Sequence, residues 1–273
     1  MKRKPRPQAA PTKRTAATRE ASKARPVVGL IVGSGFAHLA LPLPAAAPAE
    51  TPYGPTSSAL AGAAVGGRDV WCLARHGAAG EIAPHAVNYR ANVWALHAAG
   101  VRWCVAINVV GAIAPGFAPG ELAIPDQLID YTAGRAATFA GRGEAVRHVE
   151  FTEPFDPELR GHVAAAAADC GLGIRRGVYG VTEGPRLETA AEIDRLERDG
   201  CAMVGMTAMP EAVLARELGL SYAICAAAVN YAAGRAPQGA SIHAELDRYL
   251  AVAMSRVARL LKALIPRLHD AAM

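Results

Sequence analysis

The chain has 273 residues, 52% hydrophobic and 19% charged, which excludes wholesale disorder and supplies enough apolar side chain for one large core. No run approaches about 18 consecutive apolar residues, so no membrane-spanning helix is expected. The formal net charge of +5 is unevenly spread: residues 1–25 hold nine Lys or Arg against the single acid Glu20, while the remainder carries 20 basic and 23 acidic residues.

That first stretch, rich in Ala, Pro, Thr and Arg, has almost no large apolar residue and cannot offset its ordering entropy. It reads as a disordered basic tail over 1–25. A solubilising extension, a transit peptide and a nucleic-acid arm are its alternative roles, and the apolar core of a secretory signal is lacking. Residues 26–273 read as one domain. Its acidic balance, with no basic stripe interleaved with aromatics, argues against a nucleic-acid partner. Five cysteines (Cys72, Cys104, Cys170, Cys201, Cys225) lie far apart with no Cys-x-x-Cys pair, which fits a reducing, cytoplasmic setting.

From Pro26 the texture changes. Val27 to Val32 form an apolar run entering a glycine turn, the pattern of a buried strand. DVWCLARHG is the next strand. HAVNYRANVWALHAAG puts Val87, Ala91, Trp94, Ala95 and Ala98 on one face at helical spacing and stops at Gly100. VRWCVAINVVGAI reads as a buried strand. Thr189 with Glu192 three residues later predicts a capping box opening a helix that ends near Gly200. CAMVGM is a short strand, PEAVLARELG a helix with Pro in its first turn, and SYAICAAAV a further buried strand. The last segment, 241–264, repeats Ile242, Leu246, Leu250, Val257, Leu261 and Leu264 on a helical face. Apolar strands alternating with helices predict an α/β layered fold with a largely covered sheet.

Ligands in such folds sit beyond the carboxyl ends of the strands. The residues there are Gly33-Ser34-Gly35, Arg75-His76-Gly77, Asn108-Val109-Val110-Gly111, Met206-Thr207 and Asn230-Tyr231-Ala232. Hydroxyls, an Arg-His pair and glycine-flanked backbone amides suit an oxyanion such as phosphate. Each piece has a plainer reading too: Gly-Ser-Gly as a turn, Arg75-His76 as a surface charge beside a packed ring, Met206 as core. The dinucleotide and triphosphate glycine signatures are missing, and no spacing suits a metal.

In order, GSGF, ARHG, NYRANVWAL, NVVGAI, TEGPRLET, GMTAMPE and VNY resemble the purine nucleoside phosphorylase and methylthioadenosine phosphorylase family, over residues 27 to about 265. The resemblance implies a single-domain nucleoside phosphorylase fold, with a mixed central sheet flanked by helices. It implies phosphorolysis of purine nucleosides in a homotrimer, with a hexamer as the alternative, no metal or organic cofactor, and inorganic phosphate as co-substrate. Carried over by motif, Ser34, Arg75, His76, Asn108, Val109 and Thr207 bind phosphate. Met206 lies beneath the ribose, and Asn230 faces N7 and the six-position of the base, with Tyr231 and Ala232 beside it. Asn230 and His76 are the residues expected to act in catalysis.

Two positions bear on the substrate. Members acting on 6-aminopurines typically place aspartates where Asn230 and Ala232 stand. Glu188, in PRLET, matches a glutamate that faces N1 of 6-oxopurines, whose N1–H a carboxylate accepts; its plainer reading is an exposed charge ahead of a helix. Thirteen residues beyond Asn230 comes His243, which would meet a 5′-hydroxyl, although the stretch AAGRAPQGAS leaves that register open. The expectation is cleavage of inosine and guanosine to free base and ribose 1-phosphate in purine salvage. S-methyl-5′-thioinosine is the alternative substrate, and a non-catalytic purine-binding protein the alternative of another class.

Overall fold

A computed structural model describes residues 27–39, 41, 46–141, 148–237 and 242–272. The segment read as a basic tail, 1–25, lies outside them.

Strand β1 (Val28–Val32) is buried along its whole length, as its apolar run predicts. Its side chains alternate between two cores: Val28, Leu30 and Val32 belong to one, and Ile31 to the other. A two-residue pair, β2 (Glu50–Thr51) and β3 (Gly54–Pro55), precedes β4 (Ala61–Val65) and β5 (Arg68–Ala74). Helix α1 (Tyr89–Ala98) is capped by the Asn88 side chain on the Ala91 amide. Next come β6 (Trp103–Ala112), β7 (Leu122–Asp130), α2 (Pro157–Asp169), β8 (Ile174–Val181) and α3 (Ala190–Arg198). β9 (Cys201–Gly205), α4 (Ala208–Glu217), β10 (Ser221–Tyr231) and α5 (Ile242–Ala271) complete the order.

Among the described residues, eight strands form one mixed sheet in the order β10-β7-β8-β9-β6-β1-β5-β4, and β10 also pairs with β6. That extra pairing closes β6, β9, β8, β7 and β10 into a ring, from which β1, β5 and β4 extend. Helices α2 and α5 supply Leu159, Val163, Val257 and Leu264 to the core on one side. Helices α1 and α4 supply Val93, Leu96 and Leu214 to the other. Both sides are covered, so the central strands are apolar throughout. α3 packs Ile193 and Leu196 against Cys201 and Val204 in a third cluster.

The capping box is as read: the Glu192 amide donates to Thr189 Oγ1 at 3.1 Å, and the Thr189 amide donates to the Glu192 carboxylate at 2.8 Å. The predicted face of α1 is corrected. The helix buries Tyr89, Ala91, Asn92, Val93, Ala95 and Leu96, while Trp94 is half-buried and Ala98 exposed. Gly29 sets this orientation. A Cβ there would stand 3.0 Å from both Leu96 and Val101, so the helix leans its Leu96 side onto the strand.

Candidate active site

β1, β5, β6 and β10 run parallel, so their carboxyl ends share one edge. β9 is antiparallel to β6 and meets it at Gly111 and Ala112, so its own end delivers Met206 and Thr207 beside Asn108. A cavity of about 490 Å³ opens where these ends converge.

Of the phosphate residues expected from the sequence, Ser34, Arg75, His76, Val109 and Thr207 line the cavity. Asn108 does not; it sits behind the wall, 1% exposed, and acts through its side chain. Met206, Glu188, Asn230 and Ala232 also line the cavity. Tyr231 does not, although its carbonyl accepts a hydrogen bond from Asn230 Nδ2 at 2.7 Å. Nor does His243: its side chain is exposed, and Ile242 and Leu246 of α5 face the cavity instead. The count of thirteen from Asn230 therefore falls on the wrong side of the helix.

Behind the phosphate residues lies a buried network built on Arg75. Its Nε donates to Glu211 Oε1 at 2.9 Å, its Nη1 to Thr207 Oγ1 at 2.7 Å, and its Nη2 to Asn108 Oδ1 at 2.9 Å. Asn108 Nδ2 donates in turn to Thr207 Oγ1 at 3.1 Å. The Thr207 oxygen thus accepts twice, which leaves its own O–H free to donate into the cavity, where an anion would accept it. Burial pushes the Glu211 carboxyl up from its ordinary range, against the pull of the Arg75 charge and of the Tyr222 hydroxyl at 3.1 Å. Gly205 is needed for this arrangement, because any Cβ there would collide with the Tyr179 hydroxyl that reaches Asn108.

His76 holds its ring by donating Nδ1–H to the Ile82 carbonyl at 2.8 Å, which leaves Nε2 near Gly33 at the cavity. Burial and then the neighbouring Arg75 charge lower its pKa from 6.5, against the bond to Ile82. Nε2 of the neutral ring can accept a hydrogen bond from the O–H of a monoprotonated phosphate. The unfolded chain takes up this proton more readily than the folded one, so stability at this site falls as pH drops below 6.5. Denaturant titrations between about pH 7 and 5 should give a shallower loss for His76→Gln than for the unaltered chain. Equal losses would remove His76 from the account.

Several functional residues gave no readable signal in the sequence. Glu211 lies inside GMTAMPE but reads as one more helix charge. Arg135, on the loop after β7, donates Nη1 to the Met206 and Met209 carbonyls at 2.7 Å each and Nη2 to the Glu183 carbonyl at 2.8 Å. It thereby ties the Met206 backbone to the loop that precedes Glu188. Gly184 lets Met206 pack against that loop, since a Cβ there would overlap the Met206 sulfur.

Arginine, histidine and hydroxyls beside a mostly apolar cavity, with one carboxylate and one amide among the described residues of its wall, are a chemistry suited to an oxyanion next to a polar organic ligand. The profile of the phosphorylase superfamily matches residues 27–266. The chain is 47% identical over 234 residues to a probable S-methyl-5′-thioinosine phosphorylase of Pseudomonas syringae pv. tomato, covering 85% of this chain and 95% of that protein. It is 40% identical over 248 residues to the 6-oxopurine nucleoside phosphorylase of Pyrococcus furiosus, covering 88% and 92%. The methylthioadenosine phosphorylase of Schistosoma mansoni, solved in complex with adenine, superposes with a TM-score of 0.83 at 29% identity, over 90% of this chain and 92% of that one. The chain belongs to the phosphorylase superfamily, within the group of purine nucleoside and methylthioadenosine phosphorylases, and it is an enzyme.

Proposed function

We propose that the enzyme cleaves S-methyl-5′-thioinosine with inorganic phosphate, releasing hypoxanthine and 5-methylthioribose 1-phosphate. The observation that carries this choice is the apolar wall beside α5. Ile242 and Leu246 face the cavity together with Phe36, while His243 points to solvent. A thioether gains from such a wall, whereas a 5′-hydroxyl would lose its water there without a partner. The probable thioinosine phosphorylase relative supports the same reading. Inosine and guanosine form the second reading. The base-side pair Glu188 and Asn230 suits them equally, and the Pyrococcus furiosus relative acts on 6-oxopurine nucleosides by name.

In the reaction a phosphate oxygen bonds to C1′ while the C1′–N9 bond breaks. The electron pair leaves with the purine, and the proton that phosphate gives up overall ends on the base. Ser34, Thr207 and His76 hold the phosphate beneath the sugar, and Arg75 adds its charge from behind Thr207, so the developing positive charge on the ribose faces an anion. The base gains negative charge as it departs. Asn230 spends one N–H on Tyr231, which leaves its carbonyl oxygen to accept from N7–H and its second N–H to donate to the oxygen at C6. The bond to the C6 oxygen strengthens as charge builds, and the amide oxygen stabilises the proton that N7 takes up as its basicity rises; both lower the barrier rather than only binding substrate. For assembly we carry the homotrimer as part of this reading; sedimentation of the purified protein checks it.

The test compares kcat/KM for S-methyl-5′-thioinosine, inosine, guanosine and S-methyl-5′-thioadenosine. The thioinosine should lead. Leu246→Asn should lower the thioinosine-to-inosine ratio about tenfold, while His243→Val should leave that ratio within about twofold. A ratio that follows His243 instead would return the 5′-hydroxyl reading.

A further inference from the structure

Glu188 is the one carboxylate among the described residues of the cavity wall, and it stands between two cavities. Behind it lies a second space of about 230 Å³, lined by Tyr131, Thr182, Arg186, Glu192 and Arg195 among others. A carboxylate on a loop between two open spaces has several rotamers available. The segment carrying it is nevertheless held at both ends. The Thr182 hydroxyl, just past the end of β8, lies 2.6 Å from Glu188 Oε1. On the other side Arg186 forms a two-pronged pair with Glu192, at 2.8 and 2.7 Å, and Glu192 closes the capping box with Thr189.

We propose that Thr182 is the positioning residue that gives Glu188 its base specificity; the inference rests on the assignment of Glu188 to the purine N1 made above. A threonine hydroxyl has one proton. It has two acceptors within reach, Glu188 Oε1 at 2.6 Å and the Gly205 carbonyl at 3.5 Å, and the shorter contact takes the proton. Donation to Oε1 fixes the carboxylate from the second-cavity side, where Thr182 stands, and leaves Oε2 as the acceptor for the base. A 6-oxopurine offers N1–H to such an oxygen; a 6-aminopurine offers a lone pair and is repelled. Thr182 touches no substrate atom in this scheme and acts through Glu188. Its anchor is the backbone end of β8, whose Val181 pairs in register with Gly205 of β9. The specificity of the loop is thereby tied to the strand ring.

The experiment measures, for the unaltered chain, Thr182→Val, Thr182→Ser and Glu188→Gln, both kcat/KM for the hypoxanthine against the adenine methylthionucleoside and the equilibrium binding of hypoxanthine against adenine in the presence of phosphate. Thr182→Val should lower the hypoxanthine-to-adenine preference about tenfold or more in both readouts, and Thr182→Ser should restore it to within about threefold. If Glu188→Gln shifts the preference but Thr182→Val does not, Glu188 needs no positioning and the proposal fails while the base assignment stands. If Glu188→Gln leaves the preference unmoved, the base assignment itself fails. Equal loss for both bases in Thr182→Val means a merely structural role and also overturns the proposal. Thr182→Ala against Thr182→Ser carries the same comparison if the valine variant does not fold.

Discussion

Replacing Glu211 by leucine is expected to lower the free energy of unfolding by about 3–5 kcal/mol, the range for removing one partner of a buried ion pair. Arg75 is 1% exposed and cannot reach water to recover the lost acceptor. The Tyr222 hydroxyl, 3.1 Å from the same carboxylate, loses its acceptor in the same substitution. The damage should not stop at stability. Arg75 holds both Asn108 and Thr207, so a guanidinium freed from Glu211 shifts the hydroxyl that meets phosphate. The KM for phosphate should therefore rise more than the KM for nucleoside. Urea titration followed by the fluorescence of the three tryptophans reads the first effect, and initial rates at varied phosphate read the second. A variant within about 1 kcal/mol of the unaltered chain would mean that the pair is weak here, as exposed pairs are.

The largest expected change in specificity comes from the double substitution Asn230→Asp with Glu188→Ser. Aspartate at 230 offers the base an acceptor, or when protonated a single donor, in place of an amide able to donate to the C6 oxygen. Serine at 188 removes the carboxylate that opposes a bare N1. The ratio of 6-oxopurine to 6-aminopurine turnover should fall by about 10²–10⁴, because a buried polar group left facing the wrong partner discriminates strongly. The measurement is kcat/KM for S-methyl-5′-thioinosine against S-methyl-5′-thioadenosine. Each single variant should move the ratio partway. A ratio unchanged in the double variant would place recognition of the base on other residues.

How much of this was legible from the sequence depends on the kind of pattern involved. β1, β6 and β10 announce themselves as uninterrupted apolar runs because helices cover both sides of the sheet. α3 carries a capping box, and α5 repeats its apolar positions over many turns. The elements that gave no clear signal have physical reasons for their silence. β7 contains Pro125 at a register shift, β8 carries Arg175, Arg176 and Gly177, and β4 is built largely from alanine and glycine. α2 holds an alanine run with no apolar stripe to set its period. Val163 and Ala167 nevertheless bury against α5's side of the core.

The site divides in the same way. Motifs at strand ends were readable because polar residues stand out directly after an apolar run; the carboxyl ends of β1, β5, β6 and β10 share one edge, and antiparallel β9 brings Met206 and Thr207 to it. The sequence by itself determined an α/β chain, and it pointed to Ser34, Arg75, His76, Thr207, Glu188 and Asn230, which the fold brings to the wall of one cavity. Tertiary structure alone decided the rest. Glu211 became the counter-charge of Arg75 from 136 residues away, Arg135 became the tie between two loops, and Thr182 came within reach of Glu188. It also turned Ile242 and Leu246 into the cavity and His243 out of it. Local patterns report which backbone state a segment prefers. Which buried charge finds which partner, and which side of a helix start faces a ligand, is set by packing between segments far apart in the chain.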